Sequence, residues 1–133
     1  MKTNLVIAII SIALLGSGVS FGAVGADSAQ TVSAGGVTLK VTYLERTEHE
    51  ARFSVAMDTH SVNLDVYDLK ANSILRDDTG LAMQPTGIEN KGSGRHRQTI
   101  ITYPRPSTRA KWTELAIKNV AGEKERVFHW DVE

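Results

Sequence analysis

The sequence predicts an all-β fold, two sheets packed face to face, and three observations predict it. Apolar residues recur at every second position in several short runs, as strands with one buried face require. Turn residues interrupt these runs at short intervals. No long stretch repeats its apolar residues at helical spacing, and a single turn at Asp68-Leu69-Lys70-Ala71 is all the helix expected.

The chain opens with Met1-Lys2-Thr3-Asn4, a short positive head, followed by an uncharged apolar run from Leu5 to Phe21. Small residues, Gly22-Ala23-Val24-Gly25-Ala26, come next. Head, apolar run and small-residue exit are the parts of a secretory signal, which places the cut after Ala26. Residues 1–26 are then a signal peptide, and the mature chain begins at Asp27 in the periplasm, on the cell surface or outside the cell. The alternative is an uncleaved anchor. The run is near the lower limit of about 17–25 residues for a membrane-spanning helix, and Gly16, Ser17, Gly18 and Ser20 weaken its second half. Membrane attachment is expected only through such an uncleaved signal, and the chain has no Cys to acylate.

Removing 26 of 133 residues leaves 107, the size of one domain. Without Lys2 the mature chain has 14 Lys and Arg against 15 Asp and Glu. That balance argues against a nucleic-acid binder, which carries a basic excess. With no Cys, stability must come from an ordinary core.

Asp27 to Gly36 is small and polar, and reads as a flexible leader. The domain proper, 37–133, starts with Val37, Leu39, Val41 and Tyr43 on one face. Arg46-Thr47-Glu48-His49 turns the chain, and Ala51, Phe53, Val55 and Met57 repeat the pattern. Ser73 to Arg76 leads into the turn Asp77-Asp78-Thr79-Gly80, and Leu81 to Gln84 returns. Glu89 to Gly94 reads as a polar loop before Thr99, Ile101 and Tyr103. Pro104-Arg105-Pro106-Ser107 ends that strand, since proline has no N–H for a ladder. Leu115 and Ile117 mark a sixth strand, and Ala121-Gly122-Glu123-Lys124 turns it. Phe128, Trp130 and Val132 point inward from the last. Ser61 to Tyr67 also alternates; it reads as a segment crossing between the sheets, with an eighth strand as the alternative. About seven short strands so punctuated read as an immunoglobulin-like (Ig-like) β-sandwich.

Asp58-Thr59-His60-Ser61-Val62-Asn63-Leu64-Asp65, Arg76-Asp77-Asp78-Thr79-Gly80, Gly94-Arg95-His96-Arg97 and Glu125-Arg126-Val127-Phe128-His129-Trp130 stand in a recurring order. In that combination the chain resembles small Ig-like β-sandwich proteins exported by bacteria and archaea, over most of the mature domain. The resemblance implies fold and location and carries no assigned activity. The family's third segment reads Gly-His-His-Arg, and Arg95 stands here for the first His. A family metal site that used both would be incomplete.

Seven strands would gather the loops after the second, fourth and sixth at one pole. These loops hold Asp58 and His60, then Arg95, His96 and Arg97, then Glu123. His60, His96, Asp58 and Glu123 are therefore the candidate ligands of a copper or zinc ion. The arginines there repel a cation, and no ligand pair has a diagnostic spacing. Trp112 and the basic group Arg95, Arg97, Arg105, Arg109 and Lys111 could serve an anionic or sugar ligand, though such charges more often keep a small domain soluble. Ser61 beside His60, and Ser93 in Gly92-Ser93-Gly94, do not form a nucleophile elbow. The expectation is a non-enzymatic extracytoplasmic module that binds a protein or its own copies, with copper or zinc binding or delivery as the alternative.

Overall fold

The computed structural model describes residues 28–132, so the signal expected over 1–26 lies outside the described residues. Nine strands form two antiparallel sheets that pack together. β1 (Ala29–Ala34), β2 (Val37–Arg46), β3 (Glu50–Thr59), β7 (His96–Pro104) and β6 (Gly87–Ser93) make the first sheet, in the order β1-β2-β3-β7-β6. β4 (Ser73–Asp77), β5 (Ala82–Met83), β8 (Trp112–Val120) and β9 (Glu123–Asp131) make the second, in the order β5-β4-β8-β9.

The period-two pattern decides which side chains lie between the sheets. Val37, Leu39, Val41 and Tyr43 of β2 are buried, as are Phe53, Val55 and Met57 of β3. Leu115 and Ile117 of β8 and Phe128 and Trp130 of β9 meet them from the other sheet. At one end of this core four rings interlock. Tyr43 stacks on Phe53 at 4.4 Å, Phe53 lies 5.3 Å from Trp130, and Tyr103 meets Phe53 edge-on at 5.8 Å. Such pairs add to what their buried area contributes.

Two corrections raise the strand count from seven to nine. The expected flexible leader folds back as β1, pairing from Ala29↔Thr42 to Ala34↔Val37. Gly35 and Gly36, with φ of 61° and 81°, make the tight turn that aims it at the free edge of β2. The expected loop from Glu89 to Gly94 lies mostly in β6, paired with β7 from Gly87↔Thr102 to Ser93↔His96. Both are edge strands with no fully buried side chain, so neither needs the strong apolar alternation by which inner strands are recognised.

The segment from Ser61 to Tyr67 carries the chain from the first sheet to the second, as read from the sequence. It is not a strand but an extended stretch around one 3₁₀ turn, Leu64–Val66. Leu64 is fully buried while Val66 is 67 % exposed, so the apparent face of Val62, Leu64 and Val66 does not exist. The single turn at Asp68 is real. The Asp68 carboxylate accepts the N–H groups of Lys70 and Ala71, and its carbonyl accepts that of Asn72.

Phe53→Ala should cost about 3–5 kcal/mol, because a fully buried ring leaves a cavity that its neighbours cannot close. Urea unfolding measures it. A loss below about 1 kcal/mol would mean that the ring cluster does not anchor the core.

Candidate functional site

The crossing segment, the β6–β7 turn and the β8–β9 turn do share one pole. Leu64 N–H donates to Gly94 O at 2.9 Å, Thr59 N–H to Arg95 O at 3.1 Å, and Ala121 N–H to the Tyr67 hydroxyl at 3.1 Å. The β1–β2 turn joins them, since Thr59 Oγ1 donates to Gly36 O at 2.8 Å.

Of the four candidate ligands, this pole pairs two. Asp58 and His96 are cross-strand neighbours on β3 and β7, and Asp58 Oδ1 lies 2.6 Å from His96 Nδ1. Both side chains are mostly exposed, on the outer face of the first sheet, beside a shallow depression lined by Lys91, Gly92 and Gln98. The carboxylate orients the imidazole, and an exposed pair of this kind contributes about 0–1 kcal/mol to stability. His60 and Glu123 are exposed on the flanking turns. Among the described residues no three His, Asp or Glu side chains are placed to share a metal ion. The four residues therefore form one oriented pair and two separate side chains.

The interior of the pole holds guanidinium groups instead. Arg97 alternates with Thr99, Ile101 and Tyr103 on the inward face of β7 and is only 7 % exposed. Its Nη1 donates to the carbonyls of Leu64 and Tyr67, both at 2.7 Å. Its Nε and Nη2 donate to Asn90 Oδ1 at 3.2 and 2.9 Å. Arg126, two positions before Phe128 on the inward face of β9, is 3 % exposed. It donates to the carbonyls of Val37, Ala34 and Val120 at 3.2, 3.0 and 2.9 Å. All of these acceptors are uncharged oxygens. The sequence carried the signal, because both arginines fall in register with buried residues of their strands.

The basic group read from the sequence is dispersed. Arg97 is inside, Arg95 stands on this pole, and Arg105, Arg109 and Lys111 belong to the loop that closes the opposite one. There the connections are held by carboxylates. Asp77 Oδ1 accepts the N–H groups of Thr79 and Leu81 and the Thr79 hydroxyl, and Oδ2 accepts Ser107 N–H. Burial alone would raise the Asp77 carboxyl; these hydrogen bonds outweigh it and hold the group below its usual range.

A second polar cluster, which sequence reasoning missed, lies on the outer face of the second sheet. His129 Nδ1 is 3.0 Å from Glu114 Oε2, and its Nε2 is 3.1 Å from Asp131 Oδ1. Arg76 approaches Glu114 at 3.6 Å and Glu125 at 3.5 Å, and Trp112 leans over the imidazole at 5.4 Å. The two carboxylates face opposite ring nitrogens, an arrangement that suits an imidazolium rather than a shared metal ion. The Glu114 hydrogen bond, partly opposed by burial and assisted by Asp131, raises the His129 pKa.

No family model matches the chain, and no curated protein or solved structure is found to match it.

His129 should titrate above its ordinary value of 6.5. Its contribution to stability is then complete below that unfolded value and is lost as pH rises through the raised folded one. NMR titration of the imidazole should show Glu114→Gln moving the pKa down. An unchanged pKa would mean that the Glu114 contact is not made in solution.

Proposed function

We propose that the mature chain is a non-enzymatic extracytoplasmic Ig-like module that acts by binding a protein or by assembling with its own copies. The strand order supports the Ig-like reading. β2, β3, β7 and β6 lie in the order of strands A, B, E and D of that fold, and β5, β4, β8 and β9 follow C′, C, F and G, with β1 as an addition. The signal expected over residues 1–26 supports the location.

The observation that carries the binding reading is an asymmetry between the two sides of the sandwich. On one side, edge strands β1 and β9 are bridged. The Gln30 carboxamide bonds both the N–H and the carbonyl of His129, and Trp130 Nε1 donates to Ser28 O at 2.9 Å. On the other side, among the described residues, nothing pairs with the outer edge of β6, and its companion β5 is two residues long. An unpaired strand edge offers backbone donors and acceptors that an added strand can satisfy.

A photo-reactive residue in place of Glu89 or Lys91 on β6, introduced in exporting cells, should give a discrete protein adduct. Absence of any adduct from both positions would overturn β6 as the edge that binds a partner.

A further inference from the structure

We infer that β1 is an exchangeable strand, and that in a pair of copies the β1 of each occupies the groove between β2 and β9 of the other. This names a partner for the self-assembly arm of the proposed function, a second copy of this chain, and it uses the opposite side of the sandwich from β6.

β1 belongs to the domain only through its edges. None of its six side chains is buried, and of them only Val32 packs against the core. Taking the strand away removes no core residue. What it supplies is a ladder to β2 and a set of oxygens: Ser28 O for Trp130, Ala34 O for Arg126 and the Gln30 amide for His129.

The groove, by contrast, cannot stand empty at low cost. With β1 in place Arg126 and Trp130 are 3 % and 5 % exposed, and without it each loses an acceptor, Ala34 O and Ser28 O, together with the strand that covers it. The edge of β2 would lie open along the whole ladder, from Val37 to Thr42. Any copy of β1 satisfies these groups equally well, so the contacts do not distinguish its own strand from another's. Exchange of an identical element then creates a dimer with no new kind of contact.

The hinge suits this exchange. Gly35-Gly36 is a two-residue turn with both φ values positive, and a Cβ at Gly35 would lie 2.3 Å from the Ala121 carbonyl oxygen. Swinging β1 outward needs only that these two residues become extended, which glycine does freely. Gly36 has room for a side chain, its nearest neighbour being Ser61 Oγ at 4.0 Å, so alanine there penalises the closed turn through its φ and leaves an extended hinge unstrained.

The chain has no Cys, which makes the test clean. Ser33 Oγ and Thr38 Oγ1 lie 2.8 Å apart across β1 and β2, on exposed positions. The variant Ser33→Cys/Thr38→Cys, refolded over a range of concentrations and then oxidised, should give a disulfide-linked dimer whose share rises with concentration. Adding Gly36→Ala should raise the dimer-to-monomer ratio at fixed concentration by roughly tenfold. Intrachain bridges alone at every concentration would overturn the inference, as would a ratio that Gly36→Ala leaves unchanged. The β6 adducts report on the other edge, so either result can fail while the other holds.

Discussion

The guanidinium of Arg97 fixes the long connection between the sheets, and the rest of the pole is built around it. Residues 60–72 leave β3 and enter β4 without joining either ladder, so their backbone groups need other partners. Arg97 supplies donors to two of the carbonyls, Leu64 and Tyr67, and Gly94 O accepts the Leu64 N–H. With its backbone so held, Leu64 is fully buried in the core, and Tyr67 reaches the β8–β9 turn through its hydroxyl. A charged donor to a neutral acceptor contributes about 1.5–3 kcal/mol, and deleting it leaves the Tyr67 carbonyl without its donor and Leu64 O with the Tyr67 N–H alone.

The two ends of the sandwich are closed by opposite chemistry. At the crossing pole, buried arginines donate to carbonyls; at the other, Asp77 and Asp78 accept backbone N–H groups, Asp78 that of Lys111 at 2.8 Å. Each end is thus polarised by its own closure. The alternation of β3 and β7 puts Asp58 and His96 on the outer sheet face, away from the positive interior of the crossing pole. On the outer face of the second sheet the carboxylates have cationic partners of their own: Glu114 and Glu125 meet Arg76, and Glu114 and Asp131 meet His129.

The inner strands were legible because burial on one face writes itself as alternation, and Phe53, Met57, Ile101, Phe128 and Trp130 all lie where that alternation puts them. β1 and β6 were not, because an edge strand is held by backbone pairing, which leaves no mark in side-chain type. The gathering of loops at one pole followed from strand order, and so did the nearness of Asp58 and His96. Arg97 and Arg126 were overlooked because a charged residue reads as surface, although each continues the inward series of its strand. The cluster at His129 depends on Glu114 being opposite it on β8, a register that the sequence does not state.

Native-state hydrogen exchange on Arg97→Met tests the role of that guanidinium most directly, since methionine keeps much of the stem and removes only the donors. Protection of the Leu64 amide should fall by at least roughly tenfold, the effect of about 1.4 kcal/mol, while core amides such as Val55 and Leu115 keep their protection relative to one another. Unchanged protection at Leu64, or a uniform loss across all strands, would contradict the account.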